Sequence, residues 1–133
     1  MIVGERILEI SGNKVPKAQI KGLSINISIE DVKMAEENVE ITYVYTANYQ
    51  DGAGQLKLKG VLMAKEEAKL AKEVVESWKK AKKIPDDYAT VVLSAVNYSG
   101  SANGTLLARV LTLTAPLMPP KIQLSKTDPD PKK

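Results

Sequence analysis

Apolar and polar residues alternate through the first half of the chain, and then the period changes. Leu23, Ile25, Ile27 and Ile29 are separated by Ser24, Asn26 and Ser28, the period of two expected of a half-buried strand. A second set, Val39, Ile41, Tyr43, Tyr45, Ala47 and Tyr49, alternates with Thr42, Val44, Thr46 and Asn48. Asp51, Gly52 and Gly54 follow, residues that tolerate positive φ and so mark a hairpin turn. Leu56, Leu58, Gly60 and Leu62 then alternate with Lys57, Lys59 and Val61 as a third strand, and residues 2–10 supply a fourth. The pattern predicts an antiparallel meander with one wet face.

From residue 64 the spacing becomes helical. Leu70, Ala71, Val74, Trp78 and Ala81 share one face over residues 64–83, with Lys and Glu elsewhere. Ile84-Pro85 ends that helix, and Asp86 or Asp87 is placed to cap the next by accepting backbone N–H bonds. A second helix is predicted over residues 87–113, with Tyr88, Val91, Val92, Ala95 and Val96 on one face, then Leu106, Leu107, Val110 and Leu111. Two signals oppose it. Residues 89–96 and 112–114 are rich in strand formers, and Gly100 and Gly104 each cost a helix about 1 kcal/mol relative to Ala. A break near Gly100 is therefore expected. Pro116, Pro119 and Pro120 then enforce extended chain, with Ile122 and Leu124 its last apolar residues. The reading is α+β: one domain over residues 1–124, with a four-stranded antiparallel sheet and two helices packed on one face. A charged, Pro-containing disordered tail is expected over residues 125–133.

Composition then narrows the chemistry. The 133 residues hold no Cys and no His, which excludes disulfides, thiol nucleophiles, zinc sites built on thiolate or imidazole, and His-based triads. Gly52 and Gly54 lack the third glycine and the receiving helix of a phosphate loop. No enzyme, metal or cofactor is expected. Net charge is +3, with both signs interspersed, which describes a solvated surface more than a nucleic-acid footprint. Lys79, Lys80, Lys82 and Lys83 could still meet a phosphate backbone; complementing a helix C-terminal dipole is the simpler account, and no aromatic platform is interleaved with them.

Residues 88–108 carry no charge and are long enough to span a bilayer at ~1.5 Å per residue. Thr90, Ser94, Asn97, Ser99, Ser101, Asn103 and Thr105 argue against insertion, so no membrane span is expected. The opening Met-Ile-Val-Gly-Glu-Arg lacks the pattern of a secretory signal. With no Cys and many Lys–Glu pairs, the composition fits a cytoplasmic protein of thermophile type.

Four features stand out as candidates. Tyr43, Tyr45 and Tyr49 share a strand face, and Tyr offers apolar area plus a hydroxyl for adaptable peptide contacts, or simply cross-strand packing. Trp78, the one Trp, is either a partner anchor or the largest core plug. Gly100 and Gly104, flanked by Ser94, Ala95, Ser99 and Ala102, would let two helices approach closely across a homodimer, or spell a turn. Arg109 is a lone charge in an apolar stretch, a phosphate or carboxylate ligand or else a side chain that lays its stem over apolar surface.

The order of elements adds a resemblance. Strands carrying Ile25-Asn26-Ile27, Glu40-Ile-Thr-Tyr43-Val-Tyr45 and Leu58-Lys-Gly60-Val-Leu62 precede a helix, a long apolar helix, and Pro119-Pro120 with an extended apolar segment. Over residues 5–125 this resembles the SecB-like protein-export chaperones, particularly the shorter archaeal and toxin-associated members. The resemblance implies an ATP-independent holdase that assembles as a homodimer or dimer of dimers and binds unfolded or pre-export polypeptides in long apolar grooves. This chain's mild basicity departs from the acidic surface through which bacterial SecB hands clients to the SecA motor. On this reading the groove residues are Tyr43, Tyr45, Tyr49, Trp78, Leu117, Met118 and Ile122. The oligomer interface takes Ser94, Asn97, Gly100, Gly104 and Leu106. The alternatives are a nucleic-acid-binding α+β domain using the Lys79, Lys80, Lys82 and Lys83 cluster, or a structural subunit of a larger assembly.

Overall fold

The computed structural model describes residues 1–19 and 21–117. Met118, Ile122 and the expected tail lie outside the described residues. Four strands, β1 (Ile2–Lys14), β2 (Leu23–Ala35), β3 (Asn38–Tyr49) and β4 (Gly54–Ala64), precede two helices, α1 (Ala68–Ala81) and α2 (Asp86–Leu111). The α+β class, the antiparallel sheet and the two helices are as the sequence predicts.

The sheet order is β1-β4-β3-β2. Strands β2, β3 and β4 form the predicted meander, and Asp51 (φ 58°) and Gly52 (φ 69°) supply the left-handed turn between β3 and β4. Strand β1 does not continue that meander: it pairs with β4, on the opposite side of the sheet from β2. The connection after β1 crosses the end of the β3–β4 hairpin and is tied to it, Val15 donating to the Ala53 carbonyl and Gln50 to that of Gly22. The order is a Greek key read in reverse.

Register explains which residues meet the helices. Tyr43, Tyr45 and Tyr49 pair with Ile29, Ile27 and Leu23 on one side, and with Gly60, Leu58 and Gly54 on the other. Val39, Ile41, Ala47, Leu56, Leu62 and Ala64 complete this buried face. A bulge between Ile29 and Asp31 shifts the parity of β2, so that Val32 takes up the buried position opposite Ile41. β4 runs through Ala64, which the helical spacing assigned to α1; pairing with both Val39 and Ile2 holds it in the sheet.

Helix α1 buries Ala71, Val74, Val75 and Trp78 and ends where Lys82 turns left-handed. Helix α2 begins after Pro85 without a side-chain cap. Asp86 and Asp87 sit inside its first turn instead of capping it, where carboxylates still complement the helix dipole. The expected break at Gly100 is absent: α2 is continuous across it. The helix crosses the sheet diagonally, with Val92 and Leu93 near Ile29 of β2, Gly100 over Tyr45 of β3, and Leu107 and Leu111 over Gly12 of β1. A Cβ at Gly100 would come within 2.3 Å of the Tyr45 ring, a clash. Burial against that ring outweighs the propensity penalty, the usual outcome when tertiary packing opposes a weak local preference.

Propensity alone makes Gly100→Ala stabilising by about 1 kcal/mol. Overpacking against Tyr45 should reverse the sign and leave a net loss of about 1–3 kcal/mol. Urea denaturation midpoints check this, with Ala102→Ser on the exposed side of α2 expected to stay within about 0.5 kcal/mol.

Candidate functional site

Tyr43, Tyr45 and Tyr49, expected to line a groove, are all buried beneath the helices in this structure. Tyr43 donates to the Glu5 carboxylate from β1. Ser99 of α2 donates to the same carboxylate at 2.8 and 2.7 Å, and the Asn103 amide donates to the Ser99 hydroxyl at 3.0 Å. This cluster ties the edge strand, the sheet centre and α2 together. The Ser99 hydroxyl is committed as donor to Glu5 and as acceptor from Asn103, so the arrangement is a tether rather than an activated nucleophile. Nothing in the local sequence singles out Glu5, because two register shifts in β1 decide which of its side chains face the helices.

The other phenols are held differently. Tyr49 donates to the Thr114 carbonyl, and Tyr88 donates to Glu66 at 2.9 Å. The Tyr45 hydroxyl is buried with no hydrogen-bond partner among the described residues. Burial pushes all four phenols above the ordinary tyrosine range; the neighbouring carboxylates Glu5 and Glu66 add to the rise at Tyr43 and Tyr88. Burial would also raise the Glu66 carboxyl, but bonds from the N-terminal ammonium and Tyr88 bring it below the usual carboxylate range.

The small residues of α2 are likewise spent inside the chain. Gly100 receives Tyr45, and a Cβ at Gly104 would fall 2.8 Å from Pro116. Ser94 and Leu106 face outward, and Asn97 is half-buried, so the five expected interface residues divide between the two sides of the helix. The outward side is more apolar than its role on a solvated helix requires. Val91, Tyr98, Leu106 and Val110 are exposed at 47, 78, 64 and 79%. Val91 and Val110 were expected on buried faces, and Tyr98 carried no signal beyond its place in an uncharged stretch. Near the C-terminal half of α2 lies the β1 edge, where Val3, Ile7, Leu8 and Ile10 are also exposed. The outer backbone groups of this edge strand are a template for pairing with another chain, although Glu5, Arg6, Glu9 and two register shifts interrupt its apolar row.

Trp78 does line a cavity. At the N-terminal half of α2 a pocket of about 230 Å³ is walled by Ile29, Trp78, Ile84, Ala89, Val92 and Leu93, with Lys82 and Lys83 beside them. The Lys82 ammonium lies 5.5 Å from the centre of the Trp78 ring, within cation–π range. Leu117 is exposed, but it follows Pro116 at Gly104, roughly 18 Å along the helix from Val92 at 1.5 Å per residue. The structure therefore separates Trp78 from Leu117. Arg109 is exposed in the last turn of α2, where its charge complements the dipole.

Among the described residues no group of three or more acidic side chains is arranged to hold a metal ion, and no helix is long and apolar enough to cross a membrane. No family model matches the chain, and no curated protein matches it by sequence. Among solved structures the fold is similar to that of the Mycobacterium tuberculosis SecB-like chaperone Rv1957, solved in complex with a ChAD peptide from the Rv1956 HigA1 antitoxin. The TM-score is 0.50 at 13% sequence identity, over 89% of this chain and 87% of that one. The likeness establishes a SecB-like fold.

The tyrosine environments give opposite expectations for one chemical change. Tyr43→Phe removes a bond to a charged acceptor and should cost about 1.5–3 kcal/mol, whereas Tyr45→Phe removes a buried hydroxyl without a hydrogen-bond partner among the described residues and should be neutral or stabilising; thermal melts of both variants check it. In alkali the raised phenols keep protons that the unfolded chain has lost above its ordinary value near 10. Stability is therefore intact below that pH and falls as pH rises beyond it. Tyrosinate absorbance from these phenols should appear together with loss of far-UV circular dichroism; ionisation with the fold intact would contradict the burial described.

Proposed function

We propose that this protein is an ATP-independent holdase that binds extended apolar segments of unfolded polypeptides and works as a homo-oligomer. The observation that carries the reading is the exposed apolar side of α2 together with the neighbouring β1 edge. Burying such area yields roughly 25 cal/mol per Å², with little demand on the sequence of the partner. The SecB-like fold supports a chaperone, and the peptide bound to the similar mycobacterial protein supports polypeptide as the class of ligand.

Two surfaces divide the work. The β1 edge, with Leu106 and Val110 alongside it, pairs with a second copy: an edge strand laid antiparallel on its own copy is self-complementary, the requirement of a two-fold interface. Clients lie on the N-terminal half of α2, where Val91, Leu93 and the Trp78 pocket are open. Main-chain bonds at a strand edge or groove wall would add affinity without adding specificity. A cytoplasmic site of action and a link to protein export belong to the same reading.

The test joins size-exclusion with light scattering to an aggregation assay on a chemically unfolded model client, without nucleotide. A dimer or tetramer that suppresses aggregation at stoichiometric amounts is expected, and the Leu106→Glu/Val110→Glu variant should shift it toward monomer. A monomeric wild type that leaves aggregation unchanged would overturn the proposal. Binding of single-stranded nucleic acid that weakens steeply with salt would move the assignment to the Lys79, Lys80, Lys82 and Lys83 cluster.

A further inference from the structure

The pocket at Trp78 is small, cationic at one side, and unexplained by the packing of the core. Its volume of about 230 Å³ lies below the ~300–1,000 Å³ of sites that enclose a small-molecule ligand or cofactor. It suits a single large side chain. Its walls are apolar, from Ile29 of β2, Trp78 and Ile84 at the end of α1, and Val92 and Leu93 of α2. Anchor pockets lined by an aromatic side chain concentrate the energy of an interface in one residue.

Charge at the pocket is one-sided. Lys82 and Lys83 line it, and neither forms an ion pair among the described residues. Lys82 is the left-handed residue that ends α1, so its backbone is fixed and its ammonium is held over the Trp78 ring. The nearest acids in sequence, Asp86 and Asp87, occupy the first turn of α2, and neither lines the pocket. An apolar side chain entering the pocket from an extended peptide would place its immediate neighbours beside the two ammonium groups.

We infer that the pocket selects an apolar residue flanked by Asp or Glu in the bound polypeptide. The inference rests on the holdase reading for its ligand class and adds a selection rule to it. Uncompensated lysines penalise a basic flank by like-charge repulsion and reward an acidic one. They do so through a surface term that salt screens over about 10 Å at 0.1 M. The apolar pocket supplies affinity and the lysines supply the preference.

The experiment uses the full chain and three blocked peptides without aromatic residues, each with one central Leu flanked on both sides by Glu, Gln or Lys. Emission of Trp78, the one Trp in the chain, reports binding. At low salt the Glu peptide should bind about fivefold tighter than the Gln peptide, and the Lys peptide more weakly than either, as two exposed charge pairs would give. The Lys82→Gln/Lys83→Gln variant should abolish the Glu preference, so that the Glu and Gln peptides bind it with equal affinity. Equal affinities for the Glu and Gln peptides, or a preference that survives in the variant, would overturn the inference. A parallel aggregation assay separates the two claims. Suppression without any peptide response at Trp78 removes the pocket and keeps the holdase; a Glu-selective response without suppression keeps the pocket and removes the holdase.

Discussion

Tyr43 and Tyr45 stand up from the centre of the sheet, and a helix can cross them at close range only where it offers almost no side chain. Ser99 and Gly100 provide that gap: the first donates to the carboxylate that also receives Tyr43, and the second lies directly on the Tyr45 ring. Gly60 makes the matching concession within the sheet, since a Cβ there would come 2.7 Å from the Tyr43 hydroxyl and 2.9 Å from the Arg6 carbonyl. The path of α2 follows from these few contacts. Its N-terminal half is left over β2 beside the end of α1, and its C-terminal half over β1.

That path has a consequence for the outside of the molecule. With small residues committed to the inner side, many of the large apolar residues of α2 are left for the outer one, and Tyr98, Leu106 and Val110 face solvent. Strand β1 behaves in the same way. Lying at the sheet edge with no residue fully buried, it keeps Ile7, Leu8 and Ile10 exposed, and the exposed Glu5 supplies the carboxylate of the tether. Large apolar side chains exposed on two adjacent elements are the kind of surface that interaction sites use. The tether joins the two elements that carry this exposed apolar surface, because Glu5 belongs to β1 and Ser99 to α2.

Much of the fold was legible in the sequence. Strict alternation in β2, β3 and β4 placed the strands, since a period of two has one structural meaning when half its positions are Ile, Leu or Tyr. The place of β1 was not legible, because strand order depends on which edge accepts a partner, and its bulges blur the alternation that would show its inner side. The break expected at Gly100 failed for a related reason: propensity is local, whereas the Tyr45 ring that stabilises the helix there comes from a strand more than fifty residues earlier. The site was less legible than the fold. Tyr43, Tyr45 and Tyr49 satisfy both a binding face and a core, and only the helices above them decide between the two. Trp78 was found because a lone Trp on an amphipathic helix is conspicuous under either reading; the lysines beside it looked like helix-end charges until the pocket brought them together.

The central claim is that clients are held on the outer side of α2 and at the Trp78 pocket while the layer over the tyrosines stays closed. Methyl resonances of Ile, Leu and Val, followed as an unfolded client is titrated in, test it most directly. Shifts at Ile84, Val91, Leu93 and Val92, with Ile41, Leu56 and Leu58 unchanged, are the expected result. Large changes at Ile41, Leu56 and Leu58 with the outer methyls unmoved would show that clients enter by lifting α2 from the sheet, and would contradict it.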